Sequence, residues 1–222
     1  IPVSIAIVLL LTILTLSYQQ IIYEYPAGGG AYTVSKANLG IWPGLTAAAA
    51  LMIDYVLTVA VSVAAGVAAL TSAVPELLPH RVALALTTII LVLVVNLRGV
   101  RESGRIFATP TYIFIGSVFF MLAMGVVQMM AGTSPAGAAC QSIAPDATET
   151  LTLLVLLRAF SSGCTALTGV EVISNGVSAF RKPEPRNASL TMAGMALILG
   201  AMFIGISVMA NHLHIAPCTD ET

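Results

Sequence analysis

Charge is what this sequence has least of. Nine Lys and Arg and ten Asp and Glu among 222 residues make 9%, against roughly 25% in an ordinary soluble domain. The chain is 58% hydrophobic with a mean hydropathy of +0.96, which excludes a water-soluble domain and predicts an integral membrane protein. Cysteine is scarce too: Cys140, Cys164 and Cys218 stand far apart without paired spacing, so no thiolate metal site is expected. His80, His212 and His214 fall at or beyond the ends of apolar runs, where solvated loop residues sit. No nucleophile, base and orienting group come together, so enzymatic activity is not expected. The Gly28-Gly29-Gly30 run lacks a preceding strand and fits neither G-x-G-x-x-G nor G-x-x-x-x-G-K-[ST], which excludes a phosphate loop. Neither a cofactor nor a nucleic-acid partner is expected.

What is present is a succession of apolar runs near the length of about 20 residues that a hydrocarbon core requires. They cover 2–22, 45–73, 82–97, 106–131, 151–180 and 190–210, an all-α membrane architecture of six transmembrane helices. The connections holding Lys36, then Arg98, Arg101 and Arg105, then Arg181, Lys182 and Arg186 carry seven of the nine basic residues. By the positive-inside rule these connections are cytoplasmic, which puts both ends of the chain on the outer side of the membrane. The chain begins and stops close to apolar runs, so residues 1–222 read as part of a single, longer membrane domain. Residues 23–44, punctuated by Pro26, the three glycines, Gly40 and Pro43, read as a flexible re-entry turn with a short interfacial helix. Cys140 and Cys218 both fall in outer connections, where the compartment permits a disulfide.

The fifth run departs from the others. Its stretch AFSSGCTALTGVEVISN, residues 159–175, is too polar for lipid and is expected to lie within the bundle as a broken helix. Gly163 and Gly169 bracket Cys164, Thr165 and Thr168, and Glu171 follows within a turn. On the second run Asp54, Tyr55, Thr58 and Ser62 fall within an arc of roughly 100° at helical spacing. Thr58 and Ser62 could simply bond the carbonyls one turn back, but a carboxylate such as Asp54 costs about 2.5 to 3.5 kcal/mol in an apolar span and points to function. Counted at about 1.5 Å per residue, Asp54 and Glu171 share a depth roughly 7 to 8 Å to the cytoplasmic side of centre. Glu171 reads either as a coupling group or as a structural carboxylate capping the inner half-helix. Hydroxyls and loose carbonyls, with no thiolate or imidazole cluster, suit a hard, weakly hydrated cation at the midplane, where broken helices hold substrates.

The strings YPAGGGAY (25–32), DYVLTVAVS (54–62), NLRGVRESG (96–104), SSGCTALTGVEVISNG (161–176) and FRKPEPRNA (180–188) resemble the amino acid-polyamine-organocation superfamily of permeases. Within it they are most similar to the KimA-type potassium importers. The resemblance implies a fold of two five-helix inverted repeats plus extra helices, of which this chain would supply helices two to seven. It implies a cation site with Tyr55, Thr58 and Ser62 on helix three and Thr168 on helix six, with Thr165 nearby and Glu171 as the helix-six glutamate. Further site residues would come from helix one, including an aspartate, and from a later helix.

Three functions compete. A proton-coupled potassium importer comes first, with potassium, protons and membrane lipid as partners and association with a second copy left open. An amino acid permease of the same fold comes second. Such members usually carry aromatics beside the helix-six Gly-x-Glu, where this chain has Leu167, Thr168 and Val170. A non-transporting membrane sensor or scaffold comes third, and the intramembrane polar groups argue against it.

The topology has a direct test. A cysteine at Ser103, beside the densest basic cluster, is expected to react with an impermeant thiol reagent only after the cells are opened. Labelling from outside intact cells would reverse every assignment of side.

Overall fold

The computed structural model describes residues 2–97, 99–131 and 153–212, and these are helical almost throughout. The elements are α1 (Pro2–Glu24), α2 (Gly30–Leu39), α3 (Ile41–Ala73), a 3₁₀ stretch (Pro75–His80), α4 (Arg81–Leu97), α5 (Val100–Met130), α6 (Leu153–Cys164), α7 (Val170–Asn175) and α8 (Glu184–His212). Single 3₁₀ turns, Thr165–Leu167 and Val177–Ala179, flank α7. Among the described residues, five helical segments are long and apolar enough to cross a membrane. The sixth expected span is the interrupted one, divided between α6 and α7.

The helices run past the apolar windows at their basic ends: α3 begins at Ile41, α5 at Val100 and α8 at Glu184. Hydropathy marks the part of a helix that lipid accepts, whereas the helix stops where the backbone changes. Proline and glycine set those stops. Pro26 disfavours helix at Tyr25, Gly40 (φ 100°) separates α2 from α3, and Gly99 (φ 107°) separates α4 from α5. The short interfacial helix expected in residues 23–44 is α2. Cys140, Cys218 and His214 lie outside the described residues, as does the proposed disulfide.

The buried core lies where α1 and α8 pack together with the interrupted pair. Ile7, Leu11 and Ile22 of α1 meet Leu167, Val170 and Val177 around the break and Ala188 and Met192 of α8. Small residues let these helices approach: a side chain at Gly163 of α6 would collide with Ile7, and one at Gly205 of α8 with Leu122 of α5. One polar stitch crosses the core, with Gln19 Nε2 donating to the Ser189 carbonyl at 3.3 Å. Much of the surface of α3, α4 and α5 is apolar and exposed, as a surface that meets lipid or other membrane helices should be.

Met192 is fully buried, whereas Leu197 on the same helix is 74% exposed. Met192→Ala is expected to cost about 2–5 kcal/mol by leaving a cavity, and Leu197→Ala to cost little. Thermal unfolding of the full-length protein in detergent compares the two.

Candidate functional site

The break is local and well defined. Thr168 is extended (φ −61°, ψ 133°) and Gly169 is left-handed (φ 97°), so α6 cannot continue into α7. Gly169 can hold that φ because it lacks a Cβ. Gly163 lies inside α6 against Ile7, so the interruption is narrower than its two glycines suggested. The freed amide of Gly169 donates to the Glu171 carboxylate, 3.1 Å from Oε2 and 3.3 Å from Oε1. Glu171 thus closes the start of α7 with its own side chain, and acceptance by a charged group is the stronger kind of bond. Downstream, the Ser174 hydroxyl donates to the Glu171 carbonyl at 2.7 Å.

The far end of α7 is held by partners distant in sequence. Asn175 Nδ2 donates to the Tyr55 hydroxyl of α3. The Asn175 backbone carbonyl accepts the Gly29 N–H at 3.0 Å, capping the helix C-terminus with the loop before α2. That loop is tightly fitted. A Cβ at Gly28 would stand 2.6 Å from the Asn175 carbonyl oxygen, and one at Gly30 would stand 2.0 Å from Asn175 Oδ1. Thr33 fastens the loop from within, its hydroxyl donating to the Gly28 carbonyl at 3.0 Å. The three glycines, expected as a flexible turn, instead form a fitted seat for the end of α7. Asn175 Oδ1 is buried without a hydrogen-bond partner.

Around this junction the titratable groups gather. The Glu171 carboxylate lies within electrostatic reach of the phenols of Tyr18 on α1 and Tyr55 on α3, and Asp54 lies within reach of Tyr55. The second and fifth runs therefore meet at Tyr55, as a shared depth suggested. Asp54, Ser62, Thr165 and Thr168 are exposed, while Tyr55, Thr58 and Glu171 are partly buried. Hydroxyl–hydroxyl bonds between the helix-three and helix-six residues do not occur among the described residues.

The hydroxyls divide by what they do locally. Thr12, Thr15, Thr46, Thr71, Thr87, Thr88, Thr111 and Thr191 each donate to the carbonyl four residues back, at 2.7–3.0 Å. Among the described residues, Thr58, Ser62, Thr165 and Thr168 make no side-chain hydrogen bond. The back-bonding alternative for Thr58 and Ser62 is therefore not what the structure adopts.

Sequence reasoning missed Asn175 and Tyr18 as members of this junction. Asn175 stood at the end of the polar stretch, and only its tertiary partners distinguish it from a helix cap. Tyr18 carried no signal beyond being a phenol inside an apolar run.

Gly28→Ala is expected to destabilise the fold by about 1–3 kcal/mol, since it forces a strained φ and a clash with backbone. Gly104→Ala, in α5 with open space around it, should be neutral or stabilising by up to about 1 kcal/mol. Thermal unfolding of the two variants side by side checks the contrast.

Comparison with known proteins bears on what such a junction serves. A family model described as amino acid permease matches residues 1–212. The chain is also 47% identical over its 222 residues to the potassium transporter KimA of Bacillus subtilis (strain 168). The aligned stretch is the whole of this chain and 36% of that transporter, so the chain spans about a third of its length.

Proposed function

We infer the function from one premise: the chain belongs to the amino acid permease family. On that premise the chain is the helix-two to helix-seven part of a secondary transporter in a bacterial plasma membrane, its basic connections cytoplasmic and both its ends outside. We propose that the transporter imports potassium with protons, and that Tyr55, Thr58, Ser62, Thr165 and Thr168 supply neutral oxygens to the cation. Glu171 would serve in proton coupling, with Asp54 as a second carboxylate beside Tyr55.

One observation carries this reading. Eight threonines of the chain turn their hydroxyls back onto their own helices, whereas Thr58 and Ser62, about one and two turns along α3 from the Tyr55 that bonds Asn175, leave theirs unspent. A hydroxyl already donating to its own backbone satisfies the helix, while an unspent one can replace part of an ion's hydration shell. The relative that matches the whole chain is a potassium transporter, which agrees.

Amino acid transport is the alternative that the family's own description favours. Against it stand Leu167 and Val170, which flank Thr168 and Gly169 and are buried at 8% and 1% exposure in the α1–α8 core. Positions where an amino acid pocket would use aromatics to floor a side chain are here committed to packing.

Growth of a strain lacking its own potassium importers, at limiting potassium, tests the proposal in the full-length protein. Thr58→Ala and Thr168→Val are each expected to raise the potassium needed by roughly fivefold, about the worth of one hydrogen bond, with normal membrane expression. Glu171→Gln can still accept one bond from Gly169 through its remaining carbonyl oxygen, so it should keep the fold and alter the pH dependence of uptake. If the wild type fails to rescue growth yet carries an amino acid, potassium is the wrong substrate. If the hydroxyl variants match wild type, those residues belong to packing.

A further inference from the structure

Away from this junction, a cavity of about 320 Å³ is lined by Arg105, Ala179, Phe180 and Arg181. Its position is set by helix ends. Arg105 stands at the start of the apolar segment Gly104–Met130, and Phe180 and Arg181 precede the segment Glu184–His212. Both guanidiniums therefore lie at the boundary between hydrocarbon and water, on the side where the two spans share an end.

The wall is held in place. The Phe180 N–H donates to the carbonyl of buried Val177 at 3.1 Å, and Asn187 Nδ2 donates to the Arg181 carbonyl at 2.8 Å. Among the described residues, Arg105 and Arg181 make no ion pair and no carboxylate lines the cavity. Two guanidinium forks without partners match the paired oxygens of a phosphate. The half-buried Phe180 ring offers an apolar surface beside them. Exposed Lys182 adds to the positive field around the opening.

We propose that this cavity binds the phosphodiester headgroup of an anionic phospholipid, with Arg105 and Arg181 on the phosphate oxygens and Phe180 against the glycerol. A free phosphate shares the charge chemistry, but it would use neither the apolar wall nor the placement at the boundary. The inference does not depend on which substrate is transported.

Native mass spectrometry of the full-length transporter in non-ionic detergent, exposed to an equal mixture of phosphatidylglycerol and phosphatidylcholine, tests it. Wild type and Arg186→Gln are expected to retain phosphatidylglycerol selectively. R105Q/R181Q should lose it by roughly 25-fold, about fivefold for each basic residue. The lysine pair R105K/R181K keeps the charge and safeguards the fold, and should lose about fivefold because an ammonium cannot clasp two oxygens. Undiminished binding in either pair variant overturns the proposal, as does an equal loss in Arg186→Gln. Displacement of the lipid by millimolar inorganic phosphate would assign the cavity to a free anion and overturn the lipid.

Discussion

A helix interrupted inside an apolar segment frees backbone amides and carbonyls that hydrocarbon cannot satisfy. Everything distinctive in this structure answers that constraint. The amide of Gly169 takes the carboxylate of Glu171, two residues on in its own chain. The carbonyl of Asn175 at the other end takes an amide from the Gly28–Gly30 loop. With Asn175 also bonded to Tyr55, the short α7 is fixed at its start by itself and at its end by two separate elements.

This division of labour has a functional meaning. The Glu171 carboxylate that closes the half-helix also sits within reach of Tyr18 and Tyr55. A change in the charge of that side chain, which the proposed coupling role requires, would also change how the Gly169 amide is held. Capping the half-helix is thus compatible with the role proposed for this glutamate. Asn175 links the same short helix to the loop before α2, so movement of α7 would be felt there.

The membrane fold was largely legible because hydropathy reports directly on what lipid accepts, and all six runs correspond to helical segments. The break was legible as a concentration of Ser, Thr and Gly inside an apolar run. Its centre at Gly169 was not, because two glycines were available and only packing of Gly163 against Ile7 distinguishes them. The glycine triplet misled for a similar reason: small residues serve equally a loose turn and a close approach, and the choice depends on Asn175, far along the chain. Tyr18 could not be found from local pattern, since its significance comes entirely from what α1 packs against.

The hydroxyls pose the last question of balance. A hydroxyl moved from water to an apolar surrounding without a partner costs on the order of 2 kcal/mol or more. Back-bonding to the preceding turn removes that cost, and the eight threonines that do so occur on α1, α3, α4, α5 and α8 alike. Thr58, Ser62, Thr165 and Thr168 give up that economy. Their partners in the membrane must then be protein, water or an ion, because lipid offers none. Under the proposed function these four hydroxyls would give their oxygens to the cation, whereas without it they would mark only local frustration.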